Sequence, residues 1–409
     1  MVFHVATRRI RIAYPSPTQP LCRRFLPGLV EVGHVACCPH PMNESDALLR
    51  LALIPGLGPI SAQRLMEQVE HPAEIFSWSM ERLQSVDGIG GERARRICDH
   101  RGLENAANER ARAHAAGVRI ITRVDEGYPQ AFNELGDPPL AIWVQGTLEP
   151  RDRLGIAVVG PRRPSAYGHR QAHRLGSALA RLGTCLISGL ARGIDTVAHE
   201  AALGANARTI AVLGSGFDKL YPEENRPLAL RIADGHGAVI SEFPMATPPS
   251  PGTFPRRNRL VAALGLATLV IEAGGRSGAL ITARLAMELG REVLVIPGPI
   301  DNPECAGSNQ LIRDGATLVA SIDHILEEVE PLMTMAMGMT GGVAVENPRA
   351  AALSGREKQI YQLLDDAPRT VDDLVRVGGV PPSAVSATLL SLELRRLVRK
   401  MPGGYVRAV

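Results

Sequence analysis

Five short stretches hold most of the residues able to do chemistry, and each is rich in glycine, arginine or both. "VVGPRRPSAYG" (158–168) places Gly160 and the pair Arg162 and Arg163 after an apolar run, with Ser165 where it can cap a following helix. "SGLARGIDTVAHEAAL" (188–203) offers Ser188, Gly189 and Arg192, then Asp195 in a first helical turn and His199 four residues on, on the same face. "LGSGFDKLYPEEN" (213–225) adds Gly214, Gly216 and Lys219. "FPRRNRLVAALG" (254–265) sets Phe254, Arg256, Arg257, Asn258 and Arg259 before an apolar helix. "EAGGRSGALITA" (272–283) supplies Gly274, Gly275, Arg276, Ser277 and Gly278.

Guanidinium groups beside backbone N–H groups that glycine leaves approachable are phosphate chemistry. There is more fixed charge here than one nucleotide needs, so the pattern fits a groove for several phosphates. Side chains at 256, 257 and 259 cannot share one helix face, so at least one of these arginines points away from a common ligand. Asp195 and His199 at this spacing could be half of a metal or acid–base site, but neither a third ligand nor an adjacent nucleophile accompanies them. Capping and hydrogen bonding along the helix are the simpler account. The first stretch is not Gly-x-Gly-x-x-Gly, so it gives a dinucleotide pyrophosphate little support. Its arginines could also be a solvated strand-to-helix turn.

These loops need a frame to bring them together. "IAVVG" (156–160), "CLIS" (185–188), "TIAVL" (209–213), "AVIS" (238–241), "TLVIE" (268–272), "EVLVIP" (292–297) and "ATLV" (316–319) are β-rich, with amphipathic helices between most of them. Such alternation predicts a parallel sheet over 117–329 with helices on both faces. Ligands collect at the carboxyl ends of such strands, and every arginine- or glycine-rich stretch above falls there.

The flanks differ. Residues 43–115 read as a helical domain repeating one pattern, "LIPGLGPISAQRL" (53–65) and "SVDGIGGERARRI" (85–97), with Ser45 as the first cap. Glycine turns before helices can clamp an anion, as in a helix-hairpin-helix, or simply pack; Arg93, Arg95 and Arg96 lean toward the former. Residues 330–352 lose periodicity and predict a linker. Over 353–409, with Ser354 as a cap, three helices and a hairpin through Gly403-Gly404 spell a winged helix. Ser383, Ser386 and Thr388 stand near the start of its recognition helix, which has no Arg or Lys before Arg395. That suits a protein contact or weak DNA contact better than promoter reading.

Composition sets outer limits. The 409 residues are 45% hydrophobic and 21% charged, with net charge +3. Residues 1–41 hold five arginines against Glu31, so they carry +4 and the remainder −1. Overall charge therefore does not announce nucleic acid; only local clusters can. Residues 1–42 read as a disordered or mistaken leader, with Met42 as the working start, although a targeting peptide has similar composition. No run of eighteen apolar residues exists to span a membrane. Six cysteines without CxxC or zinc spacing suit a reduced cytoplasmic chain with neither metal nor cofactor.

Together "VVGPRRPSAYG", "SGLARGIDTVAHEAAL", "FPRRNRLVAALG", "EAGGRSGALITARLAMELGREVLVIPG" and "SNQLIRDGATLV" resemble the ordered signatures of the DNA-processing protein A family (DprA, also called Smf), over residues 45–408. The resemblance implies an α/β fold: an extended Rossmann-like sheet with an N-terminal helix-hairpin-helix (SAM-like) domain and a C-terminal winged helix. It also implies a non-enzymatic homodimer that binds and protects single-stranded DNA and helps load RecA during natural transformation. Gly160 and Arg162 match the family's Gly-x-Arg, Ser188 and Gly189 its second loop, Arg256, Asn258 and Arg259 its basic stretch, and Gly274, Ser277 and Gly278 its last loop. Pro161 departs from the small residue more usual there and removes an N–H donor. The leader is a second departure.

Two other readings stay open. A Rossmann-like nucleotide enzyme or sensor would use the same loops, and "EAGGRSGALITA" resembles the Gly-Gly-x-Gly-Thr loop of LOG-type phosphoribohydrolases. Ala279 in place of Thr, and Glu272 before the loop rather than after it, speak against that. A winged-helix transcription regulator is disfavoured by its nearly uncharged recognition helix. With aromatic residues at 4% of the chain, stacking platforms are few and DNA binding should be mainly electrostatic. Neutralising three to five phosphates predicts a slope of log K against log salt of about −2 to −3.5.

Overall fold

The computed structural model describes residues 42–99, 104–338, 353, 355–365, 367–394 and 397–407. The leader, apart from Met42, and the Ser354 cap lie outside the described residues.

The first helices are α1 (Glu44–Leu53), α2 (Pro59–Met66), α3 (Met80–Gln84), α4 (Gly91–Asp99) and α5 (Glu104–Ala115). Asn43, not Ser45, caps α1, its side chain accepting from the Asp46 amide at 2.7 Å. The helix starts two residues earlier than expected, Leu48 and Leu51 face the core, and the Ser45 hydroxyl is left to donate to Asp125. The two glycine turns need positive φ, +79° at Gly56 and +84° at Gly88. Their arginines cap them crosswise. Arg64 on α2 donates to the Asp87 carbonyl (3.1 Å) in the second turn, and Arg96 on α4 donates to the Pro55 carbonyl (2.7 Å) in the first. Arg93 donates to the Gly88 carbonyl, and Arg95 stands 4.0 Å from Asp99.

A nine-stranded sheet follows: β1 (Arg119–Thr122), β2 (Ala141–Gly146), β3 (Gly155–Val159), β4 (Cys185–Ser188), β5 (Thr209–Leu213), β6 (Gly237–Ser241), β7 (Ala267–Val270), β8 (Glu292–Val295) and β9 (Thr317–Leu318). In space the order is β1-β2-β6-β5-β4-β3-β7-β8-β9, parallel from β6 to β9. The antiparallel strands β1 and β2, which the alternation argument did not anticipate, extend one edge. The helices between strands are α6 (Ala166–Arg181), α7 (Ile194–Gly204), α8 (Arg226–Ala233), α9 (Thr253–Leu264), α10 (Gly278–Glu288) and α11 (Ala306–Arg313), and α12 (Ile322–Gly338) follows β9.

Strand periodicity sorts the layers. Ile156 and Val158 of β3 join Leu175 of α6, Ile194 of α7 and Val329 of α12 in one cluster. Ala157 and Val159, one residue out of phase, join Leu260 of α9 and Leu280 of α10 on the opposite face. The chain adds strands from β3 to β6 in one direction, then returns through α9 to place β7 on the other side of β3. A crevice is expected at that reversal.

Part of the linker expected at 330–352 is helical, because α12 runs on to Gly338. Met333 packs in the same cluster as Ile325 and Val329, continuing a four-residue stripe through Pro331. The last elements are α13 (Gly355–Gln362), α14 (Val371–Gly378), α15 (Pro382–Leu394) and the hairpin β10 (Val398–Met401) and β11 (Gly404–Arg407), which make the winged helix. No helix among the described residues is long and apolar enough to cross a membrane.

Candidate nucleic-acid interface

A cleft of about 990 Å³ opens at the carboxyl ends of the parallel strands, at the reversal between β3 and β7. Gly160 and Arg162 enter from β3, Gly189 and Asp195 from the β4–α7 turn, and Phe254, Arg257 and Asn258 from α9. Gly274, Arg276, Ser277 and Gly278 come from the β7–α10 loop, and Tyr221, Pro303 and Glu304 also line the cleft. Arg163, Ser188, Arg192, Gly214, Lys219, Arg256 and Arg259 do not line it.

The arginines of α9 are all engaged. Arg256 and Arg259, three residues apart on one face, both pair with buried Glu242, Arg256 at 3.1 Å; Arg259 also lies 3.4 Å from Asp137. Arg257, about 100° round the helix, turns inward and donates to the carbonyls of Gly189 and Val212. Asp195, close enough for the two charges to influence each other, accepts from the amides of Gly189 (3.1 Å) and Ala191 (3.2 Å). Burial lowers the Arg257 pKa, Asp195 countering and Arg162 reinforcing; burial raises that of Asp195, with Arg257 countering.

Two elements of the β4–α7 loop thus differ in role from the phosphate contacts expected. The Gly189 amide is consumed by Asp195, and the Ser188 hydroxyl donates to the Val158 carbonyl at 2.7 Å. Gly189 has no Cβ because the Arg257 guanidinium occupies that space. His199 is fully buried below the cleft, its Nδ1 2.7 Å from the Thr209 hydroxyl. That hydroxyl donates to the Leu186 carbonyl, so His199 carries its proton on Nδ1. Burial, then the Arg257 charge, brings its pKa down to about 3.

Other groups sit at the rim. Arg192 pairs bidentately with Glu224 and donates to the Tyr221 hydroxyl at 3.3 Å. Lys219 is exposed on a short turn. Gly214 leaves room for Phe254, whose ring carbon would lie 2.7 Å from a Cβ there. Phe254 meets Tyr221 edge to face (5.9 Å), and the Arg162 guanidinium stands 5.1 Å from the Phe254 centroid. Tyr221 was not among the expected site residues; the "YPEEN" that carries it has neither glycine nor arginine before Arg226 to mark it.

What remains for an anion is specific. Arg162, Arg163 and Arg276 are exposed and have no carboxylate partner among the described residues. In the β7–α10 loop the amides of Gly275 and Arg276 donate to no backbone carbonyl among the described residues, and Gly278 opens α10 behind the Ser277 cap. At the N-terminus of α6, by contrast, the chain supplies its own anion: Glu272 accepts from the Ser165 amide at 2.9 Å. The place where a βαβ unit usually seats a dinucleotide pyrophosphate is therefore occupied by a side chain.

The chain is similar to known proteins over most of its length. Residues 119–330 match the family model for DNA recombination-mediator protein A, residues 344–404 the DprA winged helix domain, and residues 48–102 the SAM-like helix-hairpin-helix tandem. Protein Smf of Escherichia coli is 40% identical over 289 residues, 70% of this chain and 77% of that protein. Protein Smf of Synechocystis is 32% identical over 390 residues, 88% of this chain and 98% of that protein. The X-ray structure of DNA processing protein A from Streptococcus pneumoniae superposes with a TM-score of 0.60 at 31% identity, covering 69% of this chain and 95% of that one. With its arginine and glycine loops gathered on one sheet edge, between a helix-hairpin-helix tandem and a winged helix, the chain belongs to the DNA recombination-mediator protein A family (DprA/Smf).

Proposed function

We propose that the chain binds single-stranded DNA in the strand-end cleft without chemical turnover, protects it, and passes it to RecA during natural transformation. The observation that carries this reading is the distribution of unpaired charge. Among the described residues, Arg162 and Arg276, which line the cleft, and Arg163, next to Arg162 in the chain, are left without carboxylates, and Arg276 sits in the loop that keeps free amides. Their number suits a polymer of phosphates better than one mononucleotide. Phe254 and Tyr221 add a small aromatic wall that any base can meet.

Binding rather than turnover is favoured by how the acids and the histidine are used. Asp195 spends its carboxylate on two amides, and His199 lies beneath the sheet edge against Thr209. The N-terminus of α6, filled by Glu272, leaves a nucleotide enzyme no seat there. The family's mediator role supports delivery of the strand to RecA in the cytoplasm, and the family resemblance supports a homodimer.

The test is fluorescence anisotropy of the Met42–Val409 protein with labelled oligothymidine and a matched duplex across salt. Wild type should prefer the single strand with a slope of about −2 to −3.5. Arg162→Ala/Arg276→Ala should bind weakly with its circular dichroism unchanged. Equal affinity for duplex, or an unaffected double variant, would move the DNA site elsewhere. Shortening of the RecA nucleation lag on the same oligothymidine tests the hand-off, and sedimentation tests the dimer.

A further inference from the structure

We propose that Glu272 is the positioning residue of this cleft, the internal anion that holds the Arg162–Arg163 loop in its binding shape. The inference rests on the single-strand reading above. Glu272 follows β7, is 1% exposed, and touches all three loops that meet at the sheet reversal. Its Oε2 accepts from the Ser165 amide at 2.9 Å, fixing the β3–α6 loop. Its Oε1 accepts from the Cys305 thiol at 3.6 Å, fixing the turn that carries Glu304 into the cleft. Glu272 itself opens the β7–α10 loop.

The geometry around it is closed on every side. Gly168 lies so near that a Cβ there would stand 2.6 Å from Oε2. Ser165 caps the sixteen-residue α6, so the carboxylate lies at that helix's positive end. The other end of the arginine loop is fastened too: the Ile194 amide donates to the Pro161 carbonyl at 3.2 Å. Between these two fastenings the sequence is Pro-Arg-Arg-Pro, with φ restricted at both ends. Arg162 and Arg163 are therefore held ready without spending their own charge on the scaffold. Preorganisation of this kind lowers the ordering cost of binding.

The experiment compares Glu272→Ala, Glu272→Gln, Arg162→Ala and the double variant Glu272→Ala/Arg162→Ala in oligothymidine anisotropy across salt. Glu272→Ala should bind about tenfold more weakly, the worth of one charge-assisted contact. Its salt slope should be shallower by about 0.7, one phosphate fewer on a single strand. Glu272→Gln, whose Oε1 still accepts from the Ser165 amide, should stay within about threefold of wild type. Because Glu272 acts through the arginine loop, the loss in the double variant should be smaller than the sum of the two single losses.

Wild-type binding by Glu272→Ala, a glutamine variant as weak as the alanine one, or additive losses in the double variant would each overturn the proposal. If Glu272→Ala does not fold, Glu272→Asp, one methylene short of Ser165, takes its place in the cycle with the same expected signs. Absent binding by wild type, or an unaffected Arg162→Ala, would instead strike the single-strand reading itself.

Discussion

Two arginine clusters each send one arginine into the cleft, Arg162 from Arg162-Arg163 after β3 and Arg257 from Arg256-Arg257-Asn258-Arg259 on α9, and the fold uses them in opposite ways. On α9 each guanidinium is spent inside the protein: Arg256 and Arg259 on Glu242, Arg257 on two strand-end carbonyls. On the β3 loop both are exposed, and an acid that could have paired with them, Glu272, holds a backbone amide instead. The lesson is that charge in a site divides into scaffold and contact according to where the counter-groups lie. Burial separates the two: Arg257 is 5% exposed and Arg259 7%. A buried guanidinium must find acceptors, whereas an exposed one can wait for a ligand.

The comparison breaks if removing a scaffold arginine leaves stability intact. Arg257→Met strips two carbonyls of their donor and leaves Asp195 without its counter-charge. Loss of about 2–6 kcal/mol is expected in urea unfolding, the scale for leaving two buried acceptors unsatisfied. A loss under about 1 kcal/mol would move Arg257 from the scaffold to the contact class.

Acid sharpens the same point beneath the cleft. His199 is held neutral, its folded pKa near 3 against an ordinary 6.5. A depressed folded pKa contributes stability that is whole above about 6.5 and fades as pH falls toward 3. At roughly 1.4 kcal/mol per unit this amounts to about 3 kcal/mol by pH 4. Asp195 has the opposite sign: its raised pKa gives a contribution present at and below the ordinary carboxylate range and lost as pH rises. His199→Gln should therefore flatten the acid loss and uncover the Asp195 slope. An unchanged pH profile in that variant would remove His199 as its source.

How far the sequence revealed this division differs by element. The strand-end loops were legible because glycine is demanded where backbone and side chains crowd: Phe254 against Gly214, the Arg257 guanidinium against Gly189. The parallel order was legible from apolar runs alternating with amphipathic helices. That α9 must split its arginines was legible from helix geometry, but not how. Arg257 meets the carbonyl of Gly189, sixty-eight positions earlier, and Ser165 meets Glu272 across a gap of 107. Partners that distant are set by tertiary packing, which local spacing does not encode. Tyr221 escaped for the same reason, since only the fold brings its ring to Phe254.

For the contact cluster the expected balance is reversed. Arg162→Ala/Arg163→Ala should unfold within about 0.5 kcal/mol of wild type, as surface substitutions do. It should bind oligothymidine about 10- to 100-fold more weakly and flatten the salt slope by about 1.4, two phosphates on a single strand. Anisotropy and urea titration on one preparation check both halves. A variant that loses stability along with affinity would merge the two clusters into one class.

The smallest effect belongs to Arg192, which tests whether exposure alone makes an arginine a contact. It is exposed at the cleft rim, beside Tyr221, and would count as a contact by position. Its Nε–Nη2 edge is taken by Glu224, however, in a bidentate pair that matches the carboxylate geometry, and its Nη1 donates to Tyr221. Arg192→Ala should thus change oligothymidine affinity by less than about twofold, near the floor for a rim charge already neutralised. Glu224→Ala should do the reverse, freeing a guanidinium for one more phosphate and steepening the salt slope by about 0.7. If Arg192→Ala costs as much as Arg162→Ala, the ion pair opens when DNA arrives. Available charge would then be decided by the ligand as well as by the fold.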